Sequence, residues 1–246
     1  MINFFRKIRK KLAGENQFLK YSRYAIGEIV LVVIGILIAL QINNWNQEDK
    51  NHQKEMFYLI GLKEGLQSSK VELARIIEKT KKTWLSSDSL ILISRSYNTS
   101  IPDQALDSLI ILSINYAIFT PDEGIITEII NSGDLEIIKD KSIRRYIASR
   151  DSHLNNIKKY EEFQKTISEK YIDYLTENID FTNLEESNSI TISETKDGFF
   201  SNLIFRNHLS GRSRSSRILN QLYINELKMI DSIEIIIDRE LENKIQ

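Results

Sequence analysis

Asp151, Ser152 and His153 set the three side-chain types of a nucleophilic triad next to one another. A serine attacks a carbonyl only when an imidazole takes its proton and a carboxylate orients the imidazole. Consecutive helical residues point about 100° apart, so three neighbours on a helix cannot line up in that relay. The trio reads as a solvated helix face. Glu123, Glu128 and Asp134 surround a turn at Pro121, and paired carboxylates can do acid and base work where burial separates their pKa values. Nothing in the sequence imposes that burial. His52, His153 and His208 are the only histidines, there is no cysteine, and none of the three follows a glutamate by three residues as helical di-iron sites require. No catalytic residue, metal site or cofactor is expected, and the chain is not read as an enzyme.

Two other groups bear on binding. GRSRSSR, Gly211 to Arg217, together with Arg206 supplies Arg206, Arg212, Arg214 and Arg217 as a possible anion contact, since guanidinium groups grip phosphate or carboxylate in a fork. The competing reading, an exposed helix start whose charges are solvated, is the commoner fate of such runs. Gly61 and Gly65 in GLKEG lie within a helical period and lack the strand and spacing of a phosphate loop.

These residues must be positioned by helices, because two prolines and nine glycines in 246 residues leave few obligatory breaks. Ile29 to Leu40 reads IVLVVIGILIAL, without one polar side chain. With its flanks, residues 24–45 reach the roughly twenty residues that span a bilayer. Seven basic residues precede the run among residues 1–24, with one acid, so the positive-inside rule places the N-terminus in the cytoplasm. Tyr21, Tyr24 and Trp45 stand where interfacial aromatics belong. No small-x-small site follows, so the run is expected to be an uncleaved signal anchor of the inner membrane. Residues 1–23 form a basic cytoplasmic segment in which residues 2–12 alternate apolar and cationic side chains at helical spacing, either as an amphipathic helix on the inner leaflet or as an orientation signal alone.

One face of the anchor carries Gly27, Glu28, Leu31, Gly35 and Ala39. Gly35 and Ala39 form a small-xxx-small pair that lets helix backbones approach in lipid. An ionisable Glu28 near hydrocarbon marks either a partner or a side chain reaching the headgroups. The expected partners are the lipid bilayer and a second copy or another membrane protein. Nucleic acid is excluded, because from Asn43 onward 26 basic residues face 32 acidic ones.

Residues 46–246 are expected to form one extracytoplasmic domain. Leu59, Leu62, Leu66, Leu73, Ile76 and Trp84 recur at helical spacing within Gln47 to Arg95, and Pro102 suits the start of a further helix. Asn131 to Gly133 ends one short helix and Asp134 is placed to cap the next. A long helix follows from about Lys141 to Glu177. Residues 178–198 lose the period and read as a polar surface excursion with a short strand at Ser189 to Ser193. A last helix begins near Arg212 with Leu219, Tyr223, Leu227, Ile230 and Ile237, of which Leu227 and Ile230 should be core. The expected class is all-α, one N-terminal transmembrane helix followed by an antiparallel helical bundle.

MINFFRKIRKKL and YAIGEIVLVVIGILIALQINNWN, the latter from Tyr24 to Asn46, closely resemble the N-terminal signature of a widespread bacterial family of membrane proteins whose domain has no known function. TEIINSGDLEIIKDKSIRRYI, from Thr127 to Ile147, is similar to the same family. The resemblance implies a membrane-anchored helical protein and supplies no catalytic residues. The expected function is an interaction or sensory module of unknown ligand. An accessory or structural subunit of an envelope complex, or a carboxylate-dependent hydrolase, stands as the alternative.

Overall fold

The computed structural model describes residues 18–96, 101–182, 190–192 and 195–245. The basic stretch at residues 2–12 lies outside these. The chain divides into two units, Met1–Glu55 and Met56–Gln246. Helix α1, Phe18–Ser96, contributes to both. The sequence places the helix from Gln47 almost directly after the apolar run, and both lie within α1. No proline or glycine interrupts residues 46–55, and Gln47 to Asn51 and Gln53 to Asp49 form i,i+4 side-chain bonds of 3.0 and 2.9 Å there.

In the first unit, the large apolar side chains from Ile29 to Ile42 are all exposed. Among the described residues this is the one helix long and apolar enough to cross a membrane.

The second unit adds α2 (Asp103–Ile114), α3 (Gly124–Ser132), a 3-10 turn (Asp134–Ile137), α4 (Lys141–Asn178), β1 (Ile179–Asp180), β2 (Thr191–Ile192), α5 (Lys196–Ser201) and α6 (Leu203–Ile245). Pro102 precedes α2 as expected. Gly133 ends α3 at φ 71°, a left-handed conformation that glycine adopts without a Cβ penalty. Asp134 does not cap the short helix after Gly133, where no side-chain cap bond forms; Asp140 caps α4, its Oδ1 accepting from the backbone N–H of Ser142 and Ile143. Asp134 sits inside the 3-10 turn and accepts from Tyr58 Oη at 2.6 Å.

Within the polar excursion β1 and β2 form an antiparallel ladder, Ile179 opposite Ile192 and Asp180 opposite Thr191. Ile179 and Ile190 are buried. Ser189 and Ser193, the ends of the expected strand, lie outside the described residues. Helix α6 begins nine residues before Arg212, because its buried stripe continues through Phe205 and Leu209. Arg212 and Ser216 occupy stripe positions themselves, which hides the period from a count of apolar residues alone.

Partners along α6 fix the directions of its neighbours. Arg150 meets Glu226, Gln164 meets Ser216, and Tyr171 lies against Phe205, so α4 and α6 run in opposite senses. Lys63 meets Asp238, Lys70 meets Asp231 and Asp88 meets Ser213, so the second-unit part of α1 also opposes α6. Two apolar clusters result. The lower cluster, nearer the start of the second unit along α1, gathers Leu59, Leu66, Ile76, Ile147, Leu219 and Ile230; the other gathers Leu90, Ile110, Tyr171, Phe199 and Phe205.

A buried polar layer lies along the stripes between these clusters: Thr80, Thr83, Ser86 and Ser87 on α1, Gln164 and Ser168 on α4, and Arg212, Ser213, Ser215 and Ser216 on α6. Its cause is the chain between α2 and α3. Helix α2 ends at Ile114 and Asn115 turns extended, at φ −60° and ψ 140°. The carbonyls and amides freed there are buried, and such groups must be paired. Arg212 donates to the carbonyls of Ser113, Ile114 and Asn115, Thr83 to Asn115, Ser168 to Ile114 and Tyr223 to Ala117. Glu161 accepts from the Phe119 amide at 2.8 Å, and Ser69 from that of Asp122. The three long helices thus satisfy an extended strip of backbone with side chains drawn from their own core-facing stripes.

Candidate functional site

Arg150 occupies a position of the α4 stripe where spacing from Ile143, Ile147, Leu154 and Ile157 would place an aliphatic residue. It is 2% exposed. A guanidinium taken this far from water needs paired acceptors. Its Nε donates to Glu123 Oε1 at 2.8 Å, and its Nη1 donates to Glu226 Oε1 of α6. The Tyr146 ring lies one helical turn away, 5.3 Å from the guanidinium carbon. One cation is thus divided between two carboxylates contributed by the α2–α3 loop region and α6.

Burial pushes the Glu123 carboxyl above the usual range, and the pull of Arg150 in the other direction does not restore it. Burial likewise raises the Tyr146 phenol, which therefore stays neutral. For Arg150, burial acts downward, but Tyr146, Glu226 and Glu123 together outweigh it and hold the charge in place.

Glu226 is 4% exposed and lines a cleft between α4 and α6 of about 400 Å3. Ser152, His153, Asn156 and Asn225 supply its other polar groups. Ile157, Leu222 and Met229 are its apolar lining, Ile157 within the lower core cluster and the other two packed against it. Farther along the same helix pair, a second cleft of about 260 Å3 lies at Ile167, Lys170, Ile204 and His208. Gly211 lines it, and a Cβ there would meet Ile167 Cγ2 at 3.4 Å, so the helices approach closely.

The residues singled out by sequence fall in several places. Asp151, Ser152 and His153 are exposed on α4, as read, and Asp151 bonds Asn155; Ser152 and His153 nevertheless line the larger cleft. Glu123, Glu128 and Asp134 do not converge: Glu123 holds Arg150, Glu128 is exposed and Asp134 holds Tyr58. The four arginines also separate. Arg212 is wholly buried on backbone carbonyls, Arg214 is exposed, and Arg217 donates to Asp88 with its guanidinium 4.6 Å over Trp84. The Arg206 Nε is buried with no hydrogen-bond partner among the described residues. In the first unit, a Cβ at Gly27 or Gly35 would meet no atom within 4 Å, Leu31 is 73% exposed, Ala39 is exposed, and Glu28 is half-buried and engaged by another group. Among the described residues no group of three or more metal-ligating side chains gathers.

Arg150 and Glu226 escape a reading by residue type, because each lies among many charged residues on a long helix. A signal was present. Each falls on the apolar register of its helix, 143, 147, 150, 154 and 219, 223, 226, 230, where a charge must be paired or line a site.

A family model described as a family of unknown function (DUF6090) matches residues 28–179, which include Glu28, Glu123 and Arg150. No curated protein and no solved structure matches the chain.

Proposed function

The chain belongs to this family of unknown function, and we propose from its geometry that it is a membrane-anchored helical interaction or sensory module whose receiving surface is the α4–α6 cleft. In this reading residues 24–45 are a signal anchor in the inner membrane, the seven cations before them hold the N-terminus in the cytoplasm, and residues 46–246 form an antiparallel helical bundle in the periplasm. The observation that carries the reading is Glu226, a buried residue that lines a cleft open to the surface. Clefts with an apolar floor and a few convergent polar groups are where small ligands and side chains of partners bind. No catalytic role is assigned, since of the carboxylates near Pro121 Glu123 and Asp134 are spent on separate partners and Glu128 is exposed apart from them.

Two measurements on the full chain in cells test this. A reporter active only outside the cytoplasm, fused after Gln246, is expected to be active; activity from a cytoplasmic reporter instead would reverse the orientation. A photo-crosslinking residue at Asn225 is expected to give an adduct that the same residue at Val71, 74% exposed, does not. Equal or absent adducts at both positions would remove the cleft as the receiving surface. An adduct of protein size would assign the chain to a larger envelope complex.

A further inference from the structure

We infer that the cleft over Glu226 takes a small organic cation, an ammonium or guanidinium group on a short aliphatic stem; this rests on the reading of the cleft as the receiving surface. A carboxylate that is 96% removed from solvent holds its charge only with partners close by. Glu226 has one, Arg150, which bonds a single oxygen of the pair and is itself divided with Glu123. No second hydrogen bond or ion pair to Glu226 occurs among the described residues. The carboxylate therefore keeps acceptor capacity at the second oxygen, in a residue that lines the cleft.

The rest of the lining agrees in sign. Among the residues around the cleft there is no lysine or arginine. Asn156 and Asn225 offer amide oxygens, Ser152 offers a hydroxyl oxygen, and His153 offers a ring nitrogen when neutral. An anion would meet Glu226, whose cationic partner Arg150 is already divided with Glu123, and a neutral apolar ligand would leave the second carboxylate oxygen without a partner in a drier site. A cation completes it. Ile157, Leu222 and Met229 then cover the aliphatic stem, with Met229 adapting to its length. The volume of about 400 Å3 matches a ligand of small-metabolite size.

The test uses the full chain in detergent and three probes of equal stem length that stay out of micelles: 1,4-diaminobutane, 1,4-butanediol and adipate. Binding is read by saturation-transfer NMR with titration. 1,4-Diaminobutane is expected to bind at least tenfold more tightly than the diol, with adipate silent, and its affinity is expected to fall as sodium chloride rises. Asn156→Leu, which fills the cleft without touching the buried ions, should weaken it at least tenfold, and so should Glu226→Gln. If Glu226→Gln does not fold, Asn156→Leu alone decides. Diol or adipate binding as well as the diamine, and lost in Asn156→Leu, would overturn the cation class while leaving the cleft as a receiving site. Binding by none of the three would overturn the inference, and an adduct still formed at Asn225 would show that the cleft receives something other than a small cation.

Discussion

Arg212 Nε stands 3.0 Å from the carbonyl oxygen of Ser113, wholly buried and with no ion-pair partner among the described residues. The compensation is the end of α2. The last carbonyls of a helix carry the negative pole of its macrodipole, and two of them, at Ser113 and Ile114, accept from this one side chain together with the carbonyl of the following Asn115. Burial still pulls the Arg212 pKa down, to about 10, so the group remains charged at neutral pH. Arg212→Met keeps the bulk and removes every donor. It is expected to lower stability by roughly 2 to 4 kcal/mol, since buried carbonyls lose their partners. Urea titration of the full chain in detergent checks it, and an unchanged midpoint would show that the carbonyls find water instead.

Tyr223 Oη lies 2.7 Å from Glu161 Oε1 and also reaches the Ala117 carbonyl at 3.2 Å, pinning the extended strip to α4 and α6. Tyr223→Phe should cost about 1.5 to 3 kcal/mol, the range for a hydrogen bond to a charged group. A double-mutant cycle with Glu161→Gln should return a coupling of about 1 kcal/mol or more. Additive effects would mean that the phenol serves the Ala117 carbonyl alone.

Leu227 and Ile230, both expected in the core, part company in the structure. Ile230 is fully buried, whereas Leu227 packs partly buried against the lower cluster. Ile230→Ala should therefore cost roughly 2 to 5 kcal/mol and Leu227→Ala clearly less. The order of the two unfolding midpoints is the measurement, and a reversed order would displace the register of α6.

His208 packs against Tyr171 and Tyr174, and burial, with Lys170 adding to it, holds its pKa below the ordinary 6.5. A histidine depressed on folding favours the folded state while neutral. That contribution is complete above the unfolded pKa near 6.5 and is lost as pH falls through the lower folded value. Between pH 7 and pH 5 the parent chain should lose more stability than His208→Gln. Parallel pH curves would place the imidazole in a solvated setting.

A Cβ at Gly35 meets nothing within 4 Å, and Ala39 is exposed on the same helix. Small residues four apart let two helices pack closely in lipid. Replacing both by Ile should reduce self-association or partner association in a membrane two-hybrid assay, whereas Ile at Val33 and Leu37 should not. Equal signals from the two double variants would leave no association face there.

By itself the sequence determined the helical class, the exposed apolar run and most of the lower core. These follow from local rules: scarce proline and glycine, an unbroken apolar stretch, and leucine, isoleucine and tyrosine recurring every three or four residues, as at 219, 223, 230 and 237. It also placed the turn at Gly133, where a left-handed residue is required. Tertiary structure decided what the polar members of the same stripes mean. Thr83, Gln164, Arg212 and Glu226 look like solvent-facing residues to any count of hydrophobicity, yet all four are buried. Their partners are the backbone beyond α2 and groups on other helices, tens of residues away in the chain. A buried polar group is defined by what it pairs with. That pairing exists only once α1, α4 and α6 enclose the extended strip; for Glu226 the apolar register marks the position, and only the fold supplies Arg150 and the cleft.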